Sequence, residues 1–592
     1  MLPRMMQTAP RILLAVSLAL VLAFGAGTDS RAYDRPEGSS GFTKKTLAKA
    51  KRHMVVAANP LAAQAGLSIL RKGGSAADAA IAVQMVLNVV EPQSSGLGGG
   101  AFLLTWDQAT KTLLNIDGRE TAPEAATPEL FLDAAGNPLP FKQAVESGRS
   151  IGVPGVLAAL KLAHDKYGKL PWADLFAPAI KLAREGFAVS VRLAEVLNDF
   201  DAASFPPAAR AYFFDPAGRP RPEGYKLTNP ALATTFEAIA RDGPSAFYDG
   251  AIARDIAATV ANDPRGPGSL TAEDLARYRA KLREPVCVLY RGFDVCGAAP
   301  PSSGAVTVGQ VLALIEPFDL GNEPLAVQPV HRIVEAERLA FADRARYLAD
   351  PDFVPAPVAG LLDKSYLNQR RALINPNRTL GEATPGTPPN TRQGAYGSDA
   401  TLENVGTSHI SIVDDNGNAV SMTTSIEQAF GSHLMARGFL LNNELTDFSF
   451  LPVDDNGRPV ANRVEPGKRP RSSMDPTMIF ASGGSGERRL RFLLGSPGGP
   501  GIILFNLKAV IALLDWHLDP QAAAALANFG STGGPFLLEP GQEWDPLADG
   551  MAKLGHEVER FPFTSGLAII SVTPDGFEGG ADPRREGVAL GD

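Results

Sequence analysis

Cysteine is nearly absent from this chain. Two occur among 592 residues, Cys287 and Cys296, too few for a disulfide-stapled scaffold or a four-cysteine zinc site. Histidine is scarce too: seven are scattered without an HExxH pair, so no metal site is expected. Excess positive charge is missing, since 56 Lys and Arg face 64 Asp and Glu. The net charge of −8 disfavours nucleic acid or an anionic membrane surface as the main partner. No repeat is evident. The apolar run ILLAVSLALVLAF at residues 12–24 is too short to span a bilayer comfortably. The glycine-rich turn in SSGLGGGAFLLTWD follows a helix and precedes a strand. That order is wrong for a phosphate loop or dinucleotide turn, so it reads as a tight turn.

What is present is globular. Hydrophobic residues make up 45% and charged residues 20%, and the length asks for several domains or one large layered one. Arg4 and Arg11 precede the apolar run, and SRA ends at Ala32. Residues 1–32 therefore read as a signal peptide, and the mature protein as periplasmic or secreted. An uncleaved anchor is the alternative. Export permits the two cysteines to pair. In PVCVLYRGFDVCGAAPP a two-residue Arg291-Gly292 loop sets 290 opposite 293 and 287 opposite 296. The latter is a closely spaced, non-hydrogen-bonded position suited to a disulfide.

NPLAAQAGLSILRKGG reads as a helix closed by Gly73-Gly74, and Ser75 with Asp78 as a capping box for the next. Residues 150–350 read as mostly helical. VPGVLAALKLAHDKYG, TAEDLARYRAKL and the long VQPVHRIVEAERLAFADRARYLAD carry that reading, with His331 structural in the last. Residues 370–406 are polar, and read as loop-like and accessible. Strands dominate after 407. The pattern predicts an α+β fold of layered helices and sheets, not alternating parallel units.

The most informative stretch is GTSHISIVDDNGNAVSMTTSIE. SHISIV and AVSMTT are strand-like around DDNGN. A three-residue Asp415-Asn416-Gly417 loop sets Ile412 opposite Val420 and Ile410 opposite Met422. It uses Gly417 at the left-handed position of the turn. Thr407 then lands opposite Ser425, near Glu427. If the strand continues, alternation puts Ser425 and Glu427 on one face. His409 shares a face with Thr407 but reads as structural. A hydroxyl nucleophile needs a base, and a free α-amino group, with a reference pKa near 7.7–8.0, serves at neutral pH. A cut at Gly406-Thr407 would create it. Taken alone, Gly-Thr before a strand is only a turn and a β-former.

The downstream pieces change that weight. GTSHISIVDDNGNAVSMTTSIE, LLNNELTDFS, GKRPRSSMDPT and GSPGG, in this order after VVAANPLAAQAGLSILRKGGSAADAAIA, resemble the γ-glutamyltranspeptidase family of N-terminal nucleophile hydrolases. The resemblance runs to GADPRREG. It implies a four-layer αββα sandwich and self-cleavage at Gly406-Thr407. The products would be a large subunit, 33–406, and a small one, 407–592, held together as a heterodimer. Thr407 would be the nucleophile and Ser425 its hydrogen-bonding partner. Gly498 and Gly499 would be the oxyanion-hole amides. Arg119, in NIDGRETAP, would grip a substrate carboxylate with Ser472 and Ser473. Glu444 and Asp447 would hold an α-ammonium. No cofactor is implied. The substrate would be a γ-glutamyl compound such as glutathione, with water or an amino acid or peptide as acceptor.

Three departures stand out. Glu427 replaces a common Asn and joins the acids around the ammonium. Ser425 replaces Thr and keeps the hydroxyl. No tyrosine lies between DFS and KRP, where members with a lid often place one. The rival readings are a glutaryl β-lactam acylase and an unprocessed, non-catalytic amino-acid-binding protein.

Overall fold

The structure, a computed structural model, describes residues 40–391, 394–400, 406–482 and 488–592. The signal-peptide reading of 1–32 lies outside these residues. Among them no helix is long and apolar enough to cross a membrane.

Two antiparallel sheets of seven strands dominate. The first runs in the order Val588–Gly591, Met54–Ala57, Thr407–Val413, Ala419–Ser425, Gly100–Asp107, Thr112–Gly118, Lys281–Arg283. The second runs Ala48–Ala50, Gly576–Ala581, Ala568–Thr573, Arg488–Gly495, Thr477–Ser482, Phe293–Gly297, Val286–Tyr290. Three apolar cores follow from them. Helices Pro60–Arg71, Ala76–Val90 and Val156–Tyr167 cover one face of the first sheet, where Ile410, Ile412, Val420 and Met422 share one core with Ile81 and Val86. Helices Gly304–Ile315 and Gly501–Leu514 cover the second, with Val327–Tyr347 packed on the former. Between the sheets lie Met54, Val56, Leu104, Trp106, Met478, Phe480, Leu493 and Ile570.

The hairpin has the predicted register. Thr407 faces Ser425, Ile410 faces Met422 and Ile412 faces Val420. Asp414 N–H donates to Asn418 O at 3.0 Å, which leaves a loop of 415–417 with Gly417 at φ +79°. Every residue of both strands is buried, so the usual polar-out face has no solvent to meet. It is satisfied by the other sheet instead. Ser411 Oγ donates to Ala568 O at 3.0 Å and Ser421 Oγ to Leu494 O at 3.1 Å, so these buried hydroxyls are not left unpaired. The cysteine hairpin also has its predicted register, with Tyr290 opposite Phe293 and Cys287 bonded to Cys296 across a Cα separation of 4.0 Å. Ser75 and Asp78 form the expected capping box.

Two expectations fail. TAEDLARYRAKL is helical only over Ala272–Arg277, and Lys281–Arg283 becomes the edge strand of the first sheet. The switch falls at Tyr278, which leaves helical geometry at ψ 136°. Its buried hydroxyl donates to Arg119 O at 2.7 Å. Tertiary burial overrides helix propensity there. The polar stretch 370–406 is irregular after Arg371 through 391 and over 394–400, but its end is not accessible. Gly406 is buried, and Thr407 is 4% exposed.

Candidate active site

Thr407 opens a central strand, and Gly406 is still joined to it. Ser425 Oγ lies 3.4 Å from Thr407 Oγ1 and donates to Gly406 O at 2.5 Å. It also accepts the Glu427 N–H at 2.7 Å. One hydroxyl thus touches both the Thr407 hydroxyl and the Gly406 carbonyl. Glycine is required at 406 by close approach: a Cβ there would sit 2.3 Å from Glu427 O. His409 is not the base. It is buried, shares hydrogen bonds with Thr423 Oγ1 at 2.8 Å and Ser411 Oγ at 3.1 Å, and is held neutral by burial, its pKa lowered to about 3.

Glu427 is not placed by strand alternation. The strand ends at Ser425, and Glu427 turns at φ +76°. Its carboxylate accepts from Asn443 Nδ2, whose Oδ1 accepts the Gln428 N–H at 3.0 Å. The neighbour of Asn443 is Glu444. Arg119 Nη1 donates to Glu444 and Nη2 to Asp447. Arg119 also donates through Nε to Pro470 O at 3.1 Å and through Nη2 to Arg471 O at 2.8 Å. The guanidinium is fully buried, and its two carboxylate partners hold it charged. Arg119, Glu444 and Asp447 therefore form one cluster, linked to Thr407 through Asn443, Glu427 and Ser425. Ser472 and Ser473 follow directly on the carbonyls that Arg119 grips.

Gly498 and Gly499 lie in the turn between strand Arg488–Gly495 and helix Gly501–Leu514, at φ +138° and +55°. Those values favour glycine. Among the described residues neither amide N–H has an acceptor. The start of the strand–turn unit is fixed to the strand that Thr407 opens, because Gly495 packs on the His409 ring. The segment expected to lack a lid tyrosine is tied down by Phe450, which stacks on Phe131 at 4.6 Å and on Phe141 at 5.6 Å.

Two residues escaped the sequence reading. Glu120 is buried beside Arg119, and both of its carboxylate oxygens lack hydrogen-bond partners. Burial and the adjacent Glu444 raise its pKa well above the usual carboxylate range. Its place next to Arg119 in the motif was the available signal. Arg344 binds Ser473 from the long helix, and no local pattern pointed to it.

The fold also gathers His331, Glu335 and His556. Most of their atoms are committed to one another and to a loop, and His556 Nδ1 is buried without a hydrogen-bond partner. His331 Nε2 donates to Asn375 O at 2.7 Å, so its Nδ1 accepts from His556 Nε2 at 2.7 Å. Glu335 accepts from Thr379 Oγ1 at 2.8 Å and from Leu380 N–H. Two nitrogens on one tetrahedral zinc sit roughly 3.3 Å apart. The shorter spacing is that of a shared proton, and the trio clamps the 375–380 loop.

The Thr407 hairpin, the glycine turn and the arginine–acid cluster can be compared with known proteins as a set. The family model described as Gamma-glutamyltranspeptidase matches residues 62–592. The chain belongs to the gamma-glutamyltranspeptidase family. Among the family's curated members, the glutathione hydrolase proenzyme of Bacillus subtilis strain 168 is 36% identical, over 91% of this chain and 92% of that protein. The acylase ACY 1 proenzyme of Pseudomonas sp. strain SE83 is 35% identical over 91% and 93%. The crystal structure of the cephalosporin acylase from Bacillus halodurans superposes with a TM-score of 0.80, covering 93% of this chain and 97% of that one at 29% identity.

Proposed function

We propose that this protein is an exported, self-processing γ-glutamyl hydrolase and transpeptidase with a four-layer αββα architecture. The observation that carries the reading is the Thr407–Ser425–Gly406 contact. In maturation, Thr407 Oγ attacks the Gly406 carbonyl carbon. The oxygen gains negative charge where Ser425 Oγ already donates. The C–N bond breaks, the hydroxyl proton ends on the departing nitrogen, and water hydrolyses the resulting ester. Because Gly406 and Thr407 are buried, an external protease is a poor agent for this cut.

In turnover, the freed α-amine of Thr407 takes the hydroxyl proton, and Thr407 Oγ attacks the γ-amide carbonyl. The Gly498 and Gly499 amides receive the oxyanion. The amine leaves with a proton, and water or an acceptor amine resolves the acyl-enzyme. A substrate zwitterion suits the arginine–acid cluster. Its carboxylate pairs with Arg119, Ser472 and Ser473, while its ammonium replaces the guanidinium as partner of Glu444 and Asp447. Glu427 adds a third acid near that ammonium. One ion-paired set exchanges for another, so no buried charge is left alone.

Intact mass and N-terminal sequencing test maturation, and a γ-glutamyl-anilide assay tests turnover. The expected small chain starts at Thr407, and Thr407→Ala stays a single inactive chain. A different N-terminus with activity intact would overturn the assignment. Relatives named acylase support a second reading, a glutaryl β-lactam acylase. A glutaryl group has a carboxylate but no ammonium, and would leave the cluster's acids without a new counter-charge. A glutaryl-anilide cleaved as fast as the γ-glutamyl one would favour that second reading.

A further inference from the structure

Arg119 is already engaged along its length. Its Nε, Nη1 and Nη2 all donate to protein acceptors, two of them carboxylates. A second guanidinium reaches the same segment. Arg344, in the last turn of helix Val327–Tyr347, is 5% exposed. Its Nε donates to Ser303 Oγ at 2.8 Å and its Nη2 to Ser473 Oγ at 2.7 Å. Ser303 in turn holds the preceding residue: its N–H and its hydroxyl both donate to Ser472 O at 2.7 Å. One planar guanidinium edge thus fixes the Ser472 carbonyl and the Ser473 hydroxyl together. Lysine has no such fork.

A guanidinium has no acceptor, so Ser473 Oγ accepts from Arg344 and its own proton is directed elsewhere. Donation from a cation also makes that hydroxyl a stronger donor. We propose that Arg344 is a positioning residue for substrate-carboxylate recognition, orienting and polarising the Ser473 hydroxyl toward the carboxylate. This rests on the γ-glutamyl reading for the role of Ser473, and the same geometry serves any substrate with a carboxylate at that end.

Three anilides separate the possibilities. γ-Glutamyl-4-nitroanilide has carboxylate and ammonium, glutaryl-4-nitroanilide has the carboxylate alone, and 4-aminobutyryl-4-nitroanilide has the ammonium alone. Processed Arg344→Gln should lose about tenfold in kcat/KM on γ-glutamyl-4-nitroanilide, chiefly through KM, the scale of one hydrogen bond to a charged group. The same fold-loss is expected on whatever glutaryl cleavage the wild type shows, and none on the 4-aminobutyryl compound. Ser473→Ala should show the same selectivity, and adding Arg344→Gln to it should cost little more. Arg344→Lys, which keeps the charge, serves if the glutamine variant does not process, and should show the same selective loss at smaller size. An equal loss on all three anilides, or independent losses from Arg344→Gln and Ser473→Ala, would overturn the proposal. Wild type active on the glutaryl compound alone would sink the γ-glutamyl reading while leaving Arg344 testable. Wild type inactive on both carboxylated anilides would remove both.

Discussion

At the scale of the residue, burial decides which titratable groups take part in chemistry. His409 stands two positions from Thr407, yet burial holds it neutral to about pH 3. In the proposed mechanism the base is instead the α-amine that processing would free. kcat/KM should therefore rise with pH as that amine loses its proton near pH 7.7–8.0. A limb centred on an ordinary histidine value, near 6.5, would contradict this. Asp475 gives a separate stability prediction. It is buried in the motif that carries Ser472 and Ser473, its Oδ1 has no partner, and its pKa is raised to about 7. A carboxyl whose pKa is raised on folding binds its proton more tightly in the folded state. Stability therefore falls as pH rises from about 4 to about 7 and levels off above. Asp475→Asn keeps the neutral form at every pH. Its advantage over wild type should grow across that window, by at most about 4 kcal/mol. Urea unfolding at pH 5 and pH 8 measures it, and a pH-independent difference would refute it.

At the scale of the element, local rules succeeded where the chain satisfies its own backbone and failed where distant groups intervene. The Thr407–Ser425 register was legible because alternation and the turn residues agreed on one pairing. The cysteine hairpin was legible for the same reason, and it sits at the edge of the second sheet. The Cys287–Cys296 loop should contribute roughly 2–3 kcal/mol by the chain-entropy estimate. The bond lies in a different strand pair from every site residue, so Cys287→Ala with Cys296→Ala should lower the urea midpoint and leave kcat/KM unchanged. A large activity loss in fully folded double variant would contradict that. By contrast, the helix reading of TAEDLARYRAKL failed because Tyr278 is drawn to the Arg119 carbonyl. Glu427 left the strand because its N–H is taken by Ser425 Oγ. Arg344 reaches Ser473 across 129 positions, a separation at which sequence spacing carries no information. The candidate site was legible where its residues sit in contiguous motifs, and illegible where a helix supplies the second contact.

At the scale of the whole molecule, the proposed cut at Gly406-Thr407 falls inside a woven pair of sheets. In the first, Thr407–Val413 pairs with Met54–Ala57, Ala419–Ser425 with Gly100–Asp107, and Val588–Gly591 with Met54–Ala57. In the second, Ala48–Ala50 pairs with Gly576–Ala581, and Phe293–Gly297 with Thr477–Ser482. Every one of these pairings joins a strand from before the cut to one from after it. Met54–Ala57 is held on both sides by later strands. Separating the products would break these ladders, expose unpaired edges and open the cores on both sheets. The two chains should therefore stay together as one folding unit. Processed protein should give two bands on a denaturing gel but one native mass equal to their sum, undiminished on dilution. Urea should release both chains in a single transition, and residues 407–592 expressed alone should not fold. Dissociation under native conditions, or an independently folded small chain, would show that the woven strands do not hold the molecule together.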